Sequence, residues 1–556
     1  MLLCRARTVR IVGHHARCEH AVREECGIAA VYALKNGMPD AESDVAPFVT
    51  RLLLDMQMRG ELSAGMTSYD PSRRRLLVTY KQVGTVNEAF RLGHSGKSAH
   101  ILAHCRGCAA IGHVRYSACG PDDRAYAQPF ERQHGRIYKW FSFGCNGQLA
   151  NYALLRDRLK QQKGYHVVLD TDTEIIMHYL SRELAGEERP PLERVFGNVA
   201  REFDGAYSLA FLNADGELVV ARDPLGFRPL CYGIRDDLFA AASESAALAN
   251  LGFKEVFSLE PGCLVLINRD GVAVRRFAES PRRATCFFEW VYFANAGSAI
   301  DGCSVYLTRN RLGRILAEIE TVPKDDDLIV VPVPDTAKAA ADGMAYHLGI
   351  PVLEGLLRNR YVGRTFIKSG ARSRAVSLKY TPVREVLEGK RVLLVEDSIV
   401  RGTTLKHLIG HIRERGRPRE VHLRIAAPPI LYPCFYGIDM STVGELFARA
   451  HVAEIEDEIP EPIRSIMAAE LGADSLRYVP RAKIPVAIGL PGRDLCTACI
   501  DAHYPTEAGR HLHGLAEAAH RAGITSCPYT TSPVTPTAPR GGSGAPLSAS
   551  ARRSAR

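Results

Sequence analysis

The sequence predicts an α/β protein of two or three domains, because 556 residues are too many for one ordinary core. Leu328 to Val333 and Val392 to Val395 are apolar runs without polar alternation, and helix-like segments lie between them. Strands that alternate with helices in this way indicate a parallel sheet covered on both faces. Upstream, short apolar runs such as Leu218 to Val220 and Cys263 to Ile267 are mixed with helix-like segments such as Thr173 to Arg182. This mixture favours a layered α/β domain.

The composition, with 46% apolar and 24% charged residues, is that of a globular protein in water. Much of the net charge of +9 lies at the ends, because residues 1–25 hold five arginines against three glutamates, and residues 528–556 hold four arginines and no acid. The middle of the chain is close to balance and has no basic stripe interleaved with aromatic residues, so we expect no nucleic-acid partner. No apolar run approaches the length of a membrane-spanning helix, so we expect no membrane association.

The fifteen cysteines are spread over the whole chain, unlike those of a small disulfide scaffold. They fit metal-binding, catalytic or buried thiols in a reducing compartment, so we expect a cytoplasmic protein.

Residues 1–25 form an arginine-containing leader without the long apolar region of a secretory signal. Because the leader contains no serine, it resembles a transit peptide only loosely. Two explanations stay open: a cleaved propeptide, or a translation start placed too early, with Val22 as the true first residue.

Cys26 opens the apolar stretch CGIAAVYAL, which we predict to be a strand. Free cysteines are commonly buried as small hydrophobic residues, and this is the ordinary alternative. The functional alternative requires removal of the leader, because the freed α-amine, with a reference pKa of about 7.7–8.0, then acts as general base to the thiol. One residue would supply both nucleophile and base.

CGIAAVY, preceded by Glu24 and Glu25, resembles the start of class II glutamine amidotransferase domains of the Ntn-hydrolase type. The resemblance implies that residues 26–282 form an αββα domain and that Cys26 is the nucleophile.

Three further motifs follow in the family's order and imply the rest of the glutamine site. Arg115, in GHVRYS, would bind the α-carboxylate through two parallel hydrogen bonds. Asn146 and Gly147 would form the oxyanion hole, and Asp172, in TDTE, would bind the α-ammonium. Taken singly, these motifs also fit a surface ion pair, a turn and a helix N-cap.

The chain departs from the family pattern at several positions. The family's HRGQE segment is MRGEL at residues 58–62, which keeps Arg59 and Gly60 as expected glutamine-site residues but lacks the histidine and glutamine. Ala118 replaces the usual threonine after RYS. These changes bear on the tightness of the glutamine pocket, not on the nucleophile. Arg228, in DPLGFRPL, is a further candidate contributor to the site.

A second site is indicated by RVLLVEDSIVRGTTL at residues 391–405. The apolar run is followed by Glu396 and Asp397, then by a turn with one glycine and three hydroxyls, then by a helix-like run from Leu405 to Arg413. Ligands of open α/β sheets bind at this edge, where a helix N-terminus attracts phosphate. Adjacent carboxylates suit ribose hydroxyls and Mg²⁺. A capped helix with solvated acids is the ordinary alternative.

This stretch resembles the phosphoribosyl pyrophosphate (PRPP) motif of type I phosphoribosyltransferases, in the form SIVRGTT found in glutamine PRPP amidotransferases. The resemblance implies a phosphoribosyltransferase domain with a parallel sheet over residues 283–485. It also implies that Glu396 and Asp397 bind PRPP and Mg²⁺. The turn would contribute the remaining PRPP contacts: Ser398, Ile399, Val400, Arg401, Gly402, Thr403 and Thr404.

Neighbouring segments complete the implied PRPP site. Asp335 and Thr336 follow the strand at Leu328 to Val333, although Ala337 replaces the family's next hydroxyl residue. The family's NRYVGRTFI segment would bind pyrophosphate through three arginines, and a lid at residues 368–378 precedes one further phosphate contact. These four residues are Arg358, Arg360, Arg364 and Lys379. Ser377 replaces a family arginine in the lid.

Cys496 and Cys499 form a CxxC, which alone fits a redox, zinc or cluster site. The resemblance adds Cys286 and Cys434, in stretches that hold cluster ligands in the family. It implies a structural [4Fe–4S] cluster, with Zn²⁺ as the main alternative. Residues 486–527 form the C-terminal segment that carries the CxxC, and residues 528–556, rich in Pro, Thr, Ser, Gly and Arg, are predicted to be disordered.

The resemblance spans roughly residues 22–510 and includes both half-sites. It implies that ammonia released from glutamine at Cys26 travels internally to C1 of PRPP and displaces pyrophosphate, giving 5-phosphoribosylamine for purine synthesis. We also expect purine-nucleotide inhibitors and a homo-oligomer, either a tetramer or a dimer. A glucosamine 6-phosphate-forming amidotransferase would lack VEDSIVRGTT, and a PRPP-sensing regulator would have no reason to keep Cys26. A degenerate homologue with altered substrates stays open.

Overall fold

The computed structural model describes residues 26–35, 38–40, 42–116, 123–169, 171–359, 379–440 and 442–524. Several residues and segments named in the sequence analysis lie outside the described residues: the leader, Ala118, Arg360, Arg364, the lid with Ser377, and the tail at 528–556. The proposed domain boundaries stay predictions.

Two antiparallel sheets form the centre of the N-terminal region. The first has the spatial order β12-β10-β11-β1-β5-β3-β4, with β2 beside β1, and the second has the order β14-β13-β9-β8-β7-β6. The strands of the first sheet are β1 Gly27–Lys35, β2 Met38–Pro39, β3 Ser63–Tyr69, β4 Leu77–Val83, β5 Ala109–Arg115, β10 Cys231–Arg235, β11 Leu238–Ala242 and β12 Phe257–Ser258. Those of the second are β6 Phe130–Arg132, β7 Phe141–Leu149, β8 Gly205–Asn213, β9 Leu218–Arg222, β13 Cys263–Asn268 and β14 Gly271–Arg276.

Strand β1 shows why the sheets stack. Successive side chains of a strand point to opposite faces, and both faces of β1 are apolar. Ile28, Ala30 and Tyr32 belong to the core shared with the second sheet. Ala29 and Val31 belong to the core shared with the helix Ala46–Asp55. The strand is therefore buried on both faces, as its unbroken apolar sequence predicts.

Helices cover the outer faces of both sheets, which completes the predicted αββα layering. Against the first sheet lie Ala46–Asp55, Val86–Ala89, Ser95–His104 and Ser245–Asn250, and against the second lie Tyr152–Gln161, Asp172–Glu183 and Leu192–Glu202. The apolar run Cys263 to Ile267 forms most of β13, and β14 follows and pairs with it in antiparallel register. The sequence prediction missed the hairpin that joins them.

A four-stranded parallel sheet of order β18-β21-β22-β23 organises the following region. Its strands are β18 Leu328–Pro332, β21 Arg391–Glu396, β22 Glu420–Ile425 and β23 Ser475–Tyr478. Its helices are Val305–Glu318, Lys338–Leu348, Arg384–Leu387, Thr403–His411, Glu461–Leu471 and Ile484–Ile488, and Ala498–Asp501 and Glu507–Arg521 follow near the C-terminus. The predicted helix at Leu405 to Arg413 begins two residues earlier and continues as a π-helical turn over Ile412–Gly416.

Short strand pairs lie apart from the larger sheets: β15 Thr285–Cys286 with β24 Leu495–Cys496, β16 Ala299–Ile300 with β17 Cys303–Ser304, and β19 Leu356–Arg358 with β20 Tyr380–Pro382. Charged side chains join the two regions: the buried guanidinium of Arg222, in β9, lies 2.7 Å from the Asp301 carboxylate. Among the described helices, none combines the length and apolar character needed to cross a bilayer.

Candidate active site

Cys26 lies directly before β1, beside the end of β5. The two strands pair with Gly27 opposite Val114, so the chain that leaves β5 passes the thiol. The backbone N–H of Tyr116 donates to Cys26 Sγ at 3.4 Å, and the Sγ is 3.5 Å from the Tyr116 carbonyl oxygen. The sheet therefore brings the GHVRY motif next to the predicted nucleophile.

Asn146 and Gly147 lie on β7 and are tied to the nucleophile strand through Ser243. Asn146 Nδ2 donates to Ser243 Oγ at 3.3 Å, and the same hydroxyl accepts the N–H of Ile28 at 3.1 Å. Gly147 has a φ of +138°, and a Cβ there would overlap the Ala206 carbonyl oxygen. Only glycine fits this backbone position.

Asp172 is the first residue of the helix Asp172–Glu183, and its carboxylate accepts the N–H of Leu149, at the end of β7, at 3.1 Å. Thr171 caps the helix through its side chain, so the alternative that Asp172 is the N-cap is wrong. Burial raises the pKa of Asp172. The predicted ammonium ligand is therefore anchored to the same strand as the predicted oxyanion hole.

Arg115 is buried and lies over the ring of Tyr126, 5.6 Å from its centroid. Gly60 packs against the backbone of Arg115, where a Cβ would lie 2.6 Å from the carbonyl carbon. Gly60 thus permits a close approach of two chain segments at this site.

Arg59, predicted to bind glutamine, is paired with two buried acids of the protein. Its guanidinium lies 2.8 Å from Glu244 and 2.8 Å from Glu289, and all three side chains are almost fully buried. Arg228 approaches the same Glu289 carboxylate at 3.4 Å and donates to the Tyr436 carbonyl at 2.5 Å. These four charged side chains, Arg59, Arg228, Glu244 and Glu289, form a buried cluster across the two regions, and a contact of Arg59 with glutamine stays a prediction.

Sequence reasoning assigned neither acid of this cluster to the site. Glu289 carried one usable signal, because it is the single acid within the apolar run FFEWVYF. A charge in such a run is buried and needs a partner. Nothing in the sequence indicates that the partner is Arg59.

The predicted PRPP acids stand at the end of the parallel sheet. Asp397 is buried, and Ser398 Oγ donates to its carboxylate at 2.6 Å. Burial and the neighbouring charge of Asp397 raise the pKa of Glu396 well above its ordinary value. Burial also raises the pKa of Asp397, against the opposing effects of Ser398, Arg309 and Lys379.

The other strand end brings Asp335 and Thr336 to the same edge, because β18 pairs with β21 in parallel register, with Pro332 opposite Val395. Arg358 reaches this edge and lies 2.6 Å from Asp335. Gly402, with a φ of +71°, is the N-cap of the helix Thr403–His411. Arg401 Nε donates to Glu445 at 2.6 Å.

Two residues that the sequence analysis missed lie between the half-sites. The pKa of Tyr292 is raised by burial and then by the charges of Asp397, Glu396, Tyr380 and Tyr116. Arg309 is buried and donates to the carbonyls of Trp290 and Ala294 at 2.9 and 2.8 Å.

The four predicted cluster cysteines line one cavity, together with Phe227, Arg228, Phe288, Tyr436 and Tyr504. The pairing of β15 with β24 sets Cys286 opposite Cys496. The pKa of Cys499 is raised by burial and then by Cys434, Cys286 and Cys496. Within the described ranges, no three His, Cys, Asp or Glu side chains converge as they would on a single metal ion.

Comparisons with known proteins match both predicted domain types. Residues 81–261 match the family model of a glutamine amidotransferase domain, and residues 310–427 match that of a phosphoribosyl transferase domain. The chain is 38% identical to the amidophosphoribosyltransferase of Methanothermobacter thermautotrophicus over 88% of this chain and 96% of that protein. It is 35% identical to that of Bacillus subtilis over 87% and 95%.

Solved structures give the same result. The glutamine PRPP amidotransferase from Bacillus subtilis, complexed with ADP and GMP, superposes with a TM-score of 0.75 and 32% identity, covering 91% of this chain and 100% of that one. A structure described as the allosteric regulatory enzyme of purine biosynthesis superposes with a TM-score of 0.75 and 34% identity, covering 87% and 97%.

Proposed function

The chain belongs to the amidophosphoribosyltransferase family, and from this premise we propose how its residues carry out the family reaction. The enzyme hydrolyses glutamine and transfers the ammonia to C1 of PRPP, which yields 5-phosphoribosylamine, glutamate and pyrophosphate at the first step of purine biosynthesis.

In the glutamine half-site, Cys26 attacks the side-chain amide after removal of the preceding residues, and its α-amine takes the thiol proton. Asn146 Nδ2 and the Gly147 N–H stabilise the tetrahedral oxyanion. The α-ammonium returns the proton to the leaving ammonia, and water then hydrolyses the thioester to glutamate. The observation that carries this assignment is the link from Asn146 through Ser243 to the first residues of β1.

Substrate orientation in this half-site rests on two opposite charges. Arg115 binds the α-carboxylate of glutamine, and Asp172 binds the α-ammonium. Both side chains are held in place before the substrate binds. Asp172 accepts the N–H of Leu149, and Arg115 lies over the Tyr126 ring, so neither side chain loses much conformational freedom on binding.

In the PRPP half-site, the loop from Ser398 to Thr404 cradles phosphate at the start of a helix, where the backbone N–H groups point outward. Arg358, Lys379 and the arginines Arg360 and Arg364 are assigned to pyrophosphate. Glu396 and Asp397 are assigned to the ribose hydroxyls and Mg²⁺. Their raised pKa values mean that the protein destabilises their ionised forms, and a divalent cation would stabilise both carboxylates in the ionised state. Glu396 and Asp397 would hold Mg²⁺ together with the substrate, and the bound ion would neutralise negative charge on the leaving pyrophosphate.

Ammonia passes between the half-sites inside the protein. In water at neutral pH it would be protonated and lose its nucleophilicity, so a route that excludes water preserves the reaction. The support for this route is Tyr292, which lies within electrostatic reach of Tyr116 beside the thiol and of Asp397 at the PRPP site.

Cys286, Cys434, Cys496 and Cys499 would hold a [4Fe–4S] cluster. The donor set fits, because four thiols line one mostly apolar cavity and [4Fe–4S] clusters are held by four cysteine thiolates. Zn²⁺, which four thiolates also bind, is the second candidate. The bound cluster would act as a cross-link between the chain segments that carry its ligands, without a part in either chemical step.

Purine nucleotides are proposed inhibitors, since each carries the ribose phosphate that the PRPP loop would bind, and the Bacillus subtilis relative was solved with ADP and GMP. A homo-oligomeric state and a cytoplasmic location are proposed with the family.

The test is to incubate purified protein with PRPP, Mg²⁺ and glutamine and to measure pyrophosphate and glutamate. Equal amounts of both products support the family reaction. Glutamate without PRPP-dependent pyrophosphate would instead indicate a degenerate homologue with an altered acceptor.

A further inference from the structure

Arg401 lies within the PRPP loop, yet two acids on one neighbouring segment engage its guanidinium. The Nε donates to Glu445 at 2.6 Å, the Nη2 forms a second contact with the same carboxylate, and the Nη2 also reaches the Asp439 carbonyl at 3.3 Å. The carboxylate of Asp439 is 3.9 Å away. Nε and Nη2 are therefore engaged by protein partners, while the buried Nη1 has no hydrogen-bond partner among the described residues.

The same neighbouring segment, residues 439–447, touches the loop at two further points. The Phe447 N–H donates to the Val400 carbonyl at 2.7 Å. The Phe447 ring packs against Gly402, where an added Cβ would lie 2.9 Å from the ring. The PRPP loop is thus fixed at three consecutive residues by one segment.

Glu445 is itself held in place to receive Arg401. One carboxylate oxygen accepts the N–H of Thr442 at 3.0 Å, while the other accepts Arg401. The carboxylate therefore bridges the backbone of its own segment and the PRPP loop.

The geometry of the guanidinium indicates a structural role for Arg401. Its two hydrogen-bonded nitrogens, Nε and Nη2, point at Glu445 and at the Asp439 carbonyl, and the bidentate contact with Glu445 is the geometry of a strong charged pair.

We propose that Arg401 is a positioning residue, which holds the PRPP loop on segment 439–447 through Glu445. This inference rests on the proposed PRPP-binding function of the loop. It goes beyond the family resemblance, which counts Arg401 only among the PRPP ligands and assigns no role to Glu445.

The test compares E445Q, R401K, R401Q and the double variant E445Q/R401Q, with ammonia as nitrogen donor. E445Q and R401K each weaken the bidentate contact between Arg401 and Glu445. Each should raise the KM for PRPP about tenfold, with a smaller change in kcat. The KM for glutamine, measured in the glutamine-dependent reaction, should stay near that of the wild type. The double variant should be no worse than the more impaired single variant, because both changes break one contact.

Two outcomes would overturn the proposal. The first is a near wild-type KM for PRPP in R401K and E445Q together with a large increase of that KM in R401Q. The second is an increase in the double variant that equals the combined effects of the two single changes. Either would make the charge of Arg401 a ligand for PRPP.

The matched control is R413Q, which removes an arginine at the end of the same helical element, 2.7 Å from Asp474, and should leave the KM for PRPP unchanged. Thermal unfolding of each variant without PRPP, and the shift on adding PRPP and Mg²⁺, separates misfolding from weak binding. If the wild type itself shows no PRPP-dependent shift or turnover, the proposed function fails, a result distinct from failure of the Arg401 assignment.

Discussion

Arg59 and Glu289 form a buried ion pair, 2.8 Å apart, between the glutamine domain and the phosphoribosyltransferase domain. Burying charges is unfavourable unless partners and hydrogen bonds compensate, and here Glu244 and Arg228 complete the set. This buried cluster of four charged side chains therefore links the two domains. It lies close to the strand that follows Cys26, because Arg59 packs beside Gly27.

Replacing Glu289 by alanine should destabilise the protein strongly, because Arg59 and Arg228 lose a buried partner. The free energy of unfolding should fall by about 3–5 kcal/mol. Urea unfolding followed by circular dichroism measures the change. D55N is the control, since it breaks the exposed pair between Arg51 and Asp55, at 3.3 Å, and should cost less than about 1 kcal/mol. Equal effects of both variants would show that the buried cluster adds no particular stability.

Replacing Gly147 by alanine should remove glutamine-dependent activity. A Cβ at a φ of +138° overlaps the Ala206 carbonyl, so the backbone N–H must move away from the oxyanion. Loss of one oxyanion donor lowers kcat by about 10²–10³-fold. Initial rates with glutamine and with ammonia measure the effect, and the ammonia-dependent rate should stay within a few-fold of the wild type. An unchanged glutaminase rate would exclude Gly147 from the oxyanion hole.

Much of the architecture was predictable from the sequence. Val392 to Val395 reads as a buried parallel strand because no polar residue interrupts it, and the strand Arg391–Glu396 confirms this. The motifs of the glutamine half-site were placed by their order, and the pairing of β1 with β5 brings Cys26 and the GHVRY motif together.

The partners of charged side chains were not predictable. Arg59 and Glu289 are 230 residues apart in the chain, and only the packing of two domains makes them neighbours. Arg401 sits in a phosphate-binding motif, but its contact with Glu445 depends on a segment without a recognisable pattern. Local sequence specifies strands and turns, whereas long-range ion pairs follow from tertiary structure.

Replacing Glu396 by glutamine should stabilise the protein without ligand at pH 8 while weakening the Mg²⁺-dependent binding of PRPP. The folded protein raises the pKa of Glu396, so the folded state holds this proton more tightly than the unfolded chain does. That contribution to stability is present below the ordinary pKa and is lost as pH rises through the raised value. The difference between E396Q and the wild type in thermal unfolding should therefore shrink as pH falls toward 4.5. A gain in stability that is the same at all pH values would contradict this account.

Replacing Cys434 by serine should lower the iron content, because the proposed cluster loses one of its four thiolate ligands. The anaerobically purified wild type should hold about four irons and inorganic sulfide per chain, with visible absorption that the variant loses. Replacing Cys263, which lies outside the cysteine cavity, by serine is the control. One zinc per chain and no iron in the wild type would refute the cluster.

The central claim is that Cys26 releases ammonia in one half-site for use at PRPP in the other. The most direct measurement is the rate of PRPP-dependent pyrophosphate release by the wild type and by C26A, first with glutamine and then with ammonia. We predict that C26A loses the glutamine-dependent rate by at least about 10³-fold and keeps the ammonia-dependent rate. Equal glutamine-dependent rates in the two proteins would contradict the account.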